Sequence, residues 1–294
     1  ILRAFPDAQV IIPIAVLREL EGKRQDVLVG AAARSCVREL DALRDRGDLK
    51  TGVDNGVATV RVEINEGRVG GSVEPRQIES VIVPPGGLEV FELPRREVDG
   101  ASALGLNDGT HTALTSNAFR VVATHPITAY QFNPLENVNV FSNDASLLLP
   151  TSAIGADYTV VAWPQTIGDS ENPDQDFDST SSNEDLRAFL TVIGTQEDTR
   201  VTVTLGDDVV RVLGAGPIPE SGPRSVIDLD IGPFDVINLE TAGFNADFTG
   251  SRVAASRPVV VFIGSEASDV PMFGTYETRQ CCADHLEEQL FPDA

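Results

Sequence analysis

The chain has 294 residues with 22 basic and 45 acidic side chains, which gives a net charge of −23 at neutral pH. This charge argues against nucleic acid as the main partner, because the phosphates would be repelled. The sequence contains no run of about 18 apolar residues, so it predicts no membrane-spanning helix.

Charge is distributed unevenly along the chain. Residues 1–66 carry 10 basic and 11 acidic side chains, whereas the remaining residues carry 12 and 34. Both lysines lie in the first part, and all three histidines lie in the second. We therefore predict a boundary close to residues 66–71, with one domain over 1–66 and a second over 67–294.

The first part predicts a small α/β domain. The apolar run 9–13 is typical of a buried parallel strand, and residues 57–64 alternate as a half-exposed strand does. Between them, the spacing of apolar residues predicts helices over 14–24 and 29–47. Cys36 lies on the apolar stripe of the second helix, which favours a buried thiol with a packing role.

Three strings in this part, VIIPIAVLRELEGKR, VGAAARSCVRELDALR and VATVRVEIN, resemble the middle of a PIN domain of the kind found in PhoH-like proteins. The resemblance implies a ribonuclease whose carboxylates hold Mg²⁺ or Mn²⁺. Of the family's acidic positions, only the one in VLREL has a counterpart, at Glu19. One carboxylate cannot hold a catalytic metal, so we expect a truncated, inactive PIN-like fragment. For Glu19 itself, a solvated helix carboxylate beside Arg18 is the favoured interpretation, and a remnant of the metal site is the alternative.

The second part predicts an all-β domain. Residues 201–205 and 226–231 alternate apolar and polar side chains, as half-buried strands do. Residues 258–264 are continuously apolar, which suits a strand buried on both faces. Glycine and proline punctuate the whole part, and this spacing of strands and turns predicts antiparallel sheets in a sandwich-like arrangement.

An internal repeat is visible within the second part. The string FRVVATHPITAYQF (119–132) matches SRVAASRPVVVFIG (251–264) at an offset of 132 residues. We therefore predict two similar antiparallel β units, over 76–150 and 186–292, each covering the apolar face of the other. The other matching strings are LEVFEL (88–93) with FDVINL (234–239), and SLLLP (146–150) with EQLFP (288–292).

Residues from about 78 to 294 resemble the IgGFc-binding protein N-terminal family. The strings that carry the resemblance are HPITAYQFNPLENVNVFSNDASLLLP, LRAFLTVIGTQEDTRVTVT, NADFTGSRVAASRPVVVFIGSEAS and CCADHLEEQLFP. The resemblance implies a secreted or cell-surface binding or adhesion module with a protein or glycan ligand, with no catalytic residues and no cofactor.

The two resemblances imply different compartments. The PIN-like part suggests the cytoplasm, whereas residues 67–294 suggest the extracellular space or the cell surface. The chain contains no signal peptide, so an export signal would have to lie upstream. A product of joined reading frames is therefore an alternative to a natural fusion.

The stretch CCADHLEEQLFP places two adjacent cysteines, Cys281 and Cys282, shortly before His285. Adjacent cysteines rarely bind one zinc ion, and nothing else indicates acyl transfer, so a zinc site and a Cys–His nucleophile are the disfavoured alternatives. In an exported protein the expected use of cysteine is a disulfide. The two thiols could pair with each other or with a cysteine beyond residue 294.

The segment 169–185 is strongly acidic and poor in apolar residues. A solvated, mobile acidic loop is the favoured interpretation, because the glycine and terminal glutamate of an EF-hand loop are missing. The alternative is a weak calcium site. Its candidate ligands, at alternate positions, are Asp174, Asp176 and Asp178.

The other two histidines, His111 and His125, each stand alone in the sequence. His125 precedes Pro126 at a predicted turn, which favours a structural role.

Overall fold

The chain is mainly β over the residues that its computed structural model describes, with thirteen strands and no helix among them. This result confirms the mainly-β prediction. The helices predicted over 14–24 and 29–47 lie outside the described residues. The described residues are 58–69, 72–94, 96, 98, 111–133, 144–166, 186–243, 245–270 and 283–293.

Four strands correspond to the segments that sequence periodicity predicts at 57–64, 201–205, 226–231 and 258–264. The segment 88–93 matches 234–239 in sequence pattern, but it forms no strand. It is irregular, and its apolar side chains are largely exposed. The strands are β1 (Ala58–Val69), β2 (Ser72–Val83), β3 (Ala113–Thr115), β4 (Phe119–Ala123), β5 (Ala129–Asn133), β6 (Asp144–Leu148), β7 (Gly155–Thr159), β8 (Ala188–Gly194), β9 (Thr199–Thr204), β10 (Val226–Ile231), β11 (Val236–Glu240), β12 (Arg252–Asp269) and β13 (Ala283–Gln289).

An eight-stranded antiparallel sheet is built around β12, which is 18 residues long. Along one edge β12 pairs first with β9 and then with β8, and along the other edge first with β7 and then with β13. The order continues outward from β9 to β10, and from β8 through β11 to β3. Pro258 lies between the two pairing segments, where the missing N–H costs no ladder hydrogen bond.

The main apolar core covers one face of this sheet. Alternate residues of a strand share a face, so every second side chain of β8, β9, β10 and β12 enters the core. The continuous apolar run predicted at 258–264 forms the buried middle of β12, as expected. The core side chains contributed by the central strands include Leu190, Val192, Val201, Val203, Ile237, Leu239, Val259, Val261 and Ile263.

Two smaller sheets complete the described structure, one with the order β2-β1-β4 and one formed by β5 and β6. The chain packs as two compact units, and the eight-stranded sheet and the β5–β6 hairpin belong to the second. The predicted boundary at residues 66–71 stays a prediction. The first unit comprises Ile1–Glu63, Gln77–Leu93 and Val121–Thr128; the second comprises Ile64–Arg76, Pro94–Arg120 and Ala129–Ala294.

Side chains, rather than a backbone ladder, fasten β6 to the outer edge of β13. The Glu287 N–H donates to the Asp144 carboxylate at 2.7 Å, and the Gln289 N–H donates to the Ser146 hydroxyl at 3.0 Å. The Leu149 N–H in turn donates to the Gln289 side-chain oxygen at 2.8 Å. This seam holds the β5–β6 hairpin beside the large sheet and covers backbone groups at an edge that would otherwise invite pairing.

Candidate functional site

A group of polar side chains lies on the face of the large sheet opposite the main core. Glu240 ends β11, Glu266 lies near the end of β12, and His111 precedes β3. Glu240 pairs with Phe189, which pairs with Gly264, and residues directly opposite each other share a face. Neighbouring strands therefore bring together three titratable groups that are distant in the sequence.

Backbone amides orient both carboxylates. The His111 N–H donates to Oε2 of Glu240 at 2.7 Å, and the Arg187 N–H donates to Oε2 of Glu266 at 2.7 Å. The His111 carbonyl accepts a hydrogen bond from the Asn238 side chain at 2.9 Å, which fixes the segment before β3 against β11. The position of each carboxylate is therefore set by the sheet.

The carboxylate of Glu266 is the most strongly perturbed titratable group of the cluster. Burial, followed by the nearby charge of Glu240, raises its pKa to about 8. The Arg187 amide and the charges of His111 and Arg187 act in the opposite direction and offset only part of this effect. Although 21% of its side chain stays accessible, Glu266 thus favours the protonated form at neutral pH.

An aromatic contact closes the cluster on the side of β13. The His285 ring stacks on Phe189 with the ring centroids 6.5 Å apart, and His285 Nδ1 lies 3.2 Å from the Glu266 carbonyl oxygen. Gly264 leaves room for this arrangement, because a Cβ at that position would collide with the Phe189 ring and with the Leu286 carbonyl. His285 is thus a partner of Phe189 and Glu266.

Three members of this cluster have the chemistry of metal ligands. Each of them offers one ligand atom, and these three atoms lie within 4.8 Å of one another; the residues are His111, Glu240 and Glu266. Arg187 already brings positive charge to the same place, since its guanidinium is 3.8 Å from Glu240. We therefore interpret the cluster as a partly buried ion-pair network at the end of the sheet, in which Glu266 keeps its proton.

The β5–β6 hairpin carries the second feature, an exposed apolar face. Tyr130 is 55% exposed, Phe132 49% and Leu147 38%. Tyr130 lies directly opposite Leu147 and Phe132 opposite Ala145, so these side chains share one face of the hairpin. We call this surface the ribbon face. A cluster of exposed aromatic and aliphatic side chains is typical of a surface that contacts another molecule.

Most of the site residues predicted from the sequence lie outside the described part of the chain. The structure does not describe the calcium candidates Asp174, Asp176 and Asp178, nor the disulfide candidates Cys281 and Cys282. The same holds for Glu19 and Cys36. The predicted calcium, disulfide and nuclease assignments therefore stay predictions.

The histidines are described, and one differs from the sequence-based expectation. His111 stands alone in the sequence, but in the fold its imidazole Nε2 lies 3.6 Å from Glu266. His125 lies beside Thr124, whose hydroxyl is 3.2 Å from its Nδ1. The partners of His111 come from β11 and β12, so no local motif could reveal them.

The fold defines a β-rich module that presents an exposed apolar face on one hairpin. A family model described as IgGFc binding protein matches residues 144–294, about half of the chain. The chain belongs to the IgGFc-binding protein family. This finding confirms the resemblance seen in the sequence and covers β6 to β13.

A second similarity concerns a short segment. Over 62 residues the chain is 47% identical to Protein PhoH2 of Thermobispora bispora, which confirms the resemblance to PhoH-like proteins. The matched segment is 21% of this chain and 14% of that protein, so the chain spans only a small part of PhoH2. No solved structure matches the chain. Among the described residues there is no helix long and apolar enough to cross a membrane.

Proposed function

We propose that the chain is a non-enzymatic binding module that acts outside the cell or at its surface and takes a protein ligand. The observation that carries this proposal is the family match over residues 144–294, the stretch that forms most of the large sheet. The family's description refers to binding of the Fc part of IgG. That makes Fc the first ligand to test for this chain.

The ribbon face is the surface best suited to hold such a ligand. Its aromatic side chains offer apolar area, and aromatic residues are enriched where proteins bind one another. The opposite face of the hairpin differs, because Asp144 pairs there with Asn133 and is grouped with the acids Glu287 and Glu288 of β13. Partial burial and the charge of Asp144 raise the pKa of Glu288, which shows how closely the acids are grouped.

Binding of IgG Fc, measured by surface plasmon resonance, tests the proposal. We expect the unaltered chain to bind Fc and the double variant Tyr130→Ser/Phe132→Ser to bind at least about tenfold more weakly, because two apolar anchors are lost. The matched control, Val161→Ser/Val226→Ser, removes two other exposed apolar side chains and should bind as the unaltered chain does. Equal binding by both double variants would exclude the ribbon face, and no binding of Fc by any of them would exclude Fc as the ligand.

A nuclease is the alternative function. It is supported by the short PhoH2 similarity, which reaches 14% of that protein. We favour the binding module because the family match is more than twice as long, covering residues 144–294.

A further inference from the structure

The His111 imidazole and the Glu266 carboxylate face each other across a distance that suits a shared metal ion. Nε2 of His111 lies 3.6 Å from Oε1 of Glu266, which is too long for a hydrogen bond between them. Ligand atoms in a tetrahedral zinc site lie about 2.0–2.2 Å from the ion, and hence about 3.3 Å from one another. The observed separation is therefore closer to that of two ligands of one ion than to that of a hydrogen-bonded pair.

Glu240 supplies a third ligand at the same place. One ligand atom of its carboxylate lies within 4.8 Å of the ligand atoms of His111 and Glu266. Rotation about χ3 of a glutamate is soft, so the carboxylates can close this distance without a movement of the strands. Glu240 ends β11, Glu266 belongs to β12, and His111 precedes β3, so one ion would join three separate parts of the sheet.

The charges around the two carboxylates leave a place for a divalent cation. Nη1 of Arg187 and Oε2 of Glu240 are 3.8 Å apart, so this ion pair adds positive charge without a short hydrogen bond between the two groups. Arg187 offsets only part of the repulsion between the acids, because burial and the charge of Glu240 still raise the pKa of Glu266. A divalent cation would offset the rest and take the place of the Glu266 proton.

We propose that His111, Glu240 and Glu266 form a zinc site in which a water molecule completes the coordination. The donor set decides the metal, because imidazole nitrogen suits zinc, whereas calcium and magnesium take oxygen ligands. The side chains of His111 and Glu266 are 16% and 21% exposed, so water can reach the ion from one side. Three protein ligands with water in the fourth position are an established arrangement for zinc. This site goes beyond the proposed function and does not depend on binding of Fc.

Equilibrium dialysis of the full purified chain against zinc tests this inference. The protein is first treated with a chelator, and the buffer contains a reductant and millimolar calcium, which competes for weak acidic sites on the surface. Plasma mass spectrometry measures the bound zinc. We expect the unaltered chain to bind about one zinc ion, and His111→Gln and Glu266→Gln to bind it at least about tenfold more weakly, because each variant loses one of three ligands.

Each of these variants has a matched control. His125→Gln changes a histidine outside the cluster and Glu220→Gln an exposed glutamate, and both should bind zinc as the unaltered chain does. His111→Gln keeps the backbone N–H that donates to Glu240, and Glu266→Gln keeps the shape of its side chain. A cooperative unfolding transition in urea shows that a variant is folded, and if one cluster variant does not fold, the other decides the result.

Two results would overturn the inference. The first is that the unaltered chain binds no zinc under these conditions. The second is that both cluster variants bind zinc as tightly as the unaltered chain. In that case Cys281→Ser/Cys282→Ser shows whether the adjacent cysteines hold the metal instead, because that variant would then lose it. Binding of Fc is measured separately, so neither result bears on the proposed function.

Discussion

At the scale of single residues, Glu240 and Glu266 show how the sheet creates an environment that no local motif announces. Each carboxylate accepts a hydrogen bond from a backbone N–H, and the two lie on neighbouring parts of one polar face. Glu240 is only 2% exposed. Two acids held this close cannot both ionise without cost, so Glu266 retains a proton that a solvated glutamate would lose.

The Glu266→Gln variant tests this arrangement through the pH dependence of stability. The pKa of Glu266 is about 8 in the folded chain, against an ordinary value of 4.5. The folded chain therefore holds this proton more tightly than the unfolded chain. The stabilisation is complete below the unfolded pKa and is lost as the pH rises through the folded pKa, by at most about 1.4 kcal/mol per pH unit.

Glutamine mimics the protonated form and cannot lose its proton, so the variant should keep its stability over this window. We expect the free energy of unfolding, measured in urea between about pH 5 and about pH 9, to fall less steeply for Glu266→Gln than for the unaltered chain. Glu220→Gln, at a glutamate whose side chain is 65% exposed, is the control and should follow the unaltered chain. Parallel curves for all three proteins would contradict a proton retained on Glu266.

At the scale of elements, the seam between β6 and β13 decides where the ribbon face lies. Two outward N–H groups of β13 are satisfied by the Asp144 and Ser146 side chains of β6. Here short polar side chains accept the hydrogen bonds that a neighbouring strand's backbone carbonyls accept elsewhere in the sheet. The hairpin is therefore held to β13 through β6, and Gln131 of β5 adds a hydrogen bond to the Glu287 carboxylate at 2.7 Å.

Ser146→Ala tests whether this seam contributes to stability. Ser146 is 1% exposed, and its hydroxyl accepts from the Gln289 N–H at 3.0 Å. Removing the hydroxyl leaves a buried donor unsatisfied, so we expect a loss of about 1–3 kcal/mol in the free energy of unfolding. Chemical denaturation measures it. Ser152→Ala, at an exposed turn serine, should be nearly neutral, and an equal loss at both positions would refute the seam.

At the scale of the whole molecule, the chain combines similarity to two unrelated kinds of protein. The IgGFc-binding family accounts for residues 144–294, and Protein PhoH2 matches a 62-residue segment. The net charge of −23 would repel RNA from most of the surface. The two functions therefore make opposite predictions about RNA cleavage: a nuclease would cut RNA, and a binding module would leave it intact.

We expect the purified chain to leave single-stranded RNA intact in the presence of Mn²⁺, because Glu19 is the one acidic residue that matches the PIN metal site. Gel electrophoresis of labelled RNA measures this. Cleavage by the unaltered chain that disappears in Glu19→Ala would show a working nuclease and contradict the proposed function. Cleavage that persists in Glu19→Ala would point to a contaminating enzyme.

Much of the architecture was determined by the sequence alone, through local signals. Alternation predicted β9 and β10, and a continuous apolar run predicted the buried middle of β12, because side-chain periodicity depends only on neighbouring residues. The match between the strings at 119–132 and 251–264 also predicted two similar antiparallel β units, over 76–150 and 186–292. That repeat stays a prediction.

Tertiary structure alone decided which side chains meet. His111 looked isolated in the sequence, yet pairing of β3 with β11 and of β8 with β12 brings it to Glu240 and Glu266. Likewise, Tyr130 and Phe262 look equivalent in the sequence, and only the presence of β8 along one hairpin buries one of them. Exposure and proton affinity depend on long-range strand pairing, which residue periodicity does not encode.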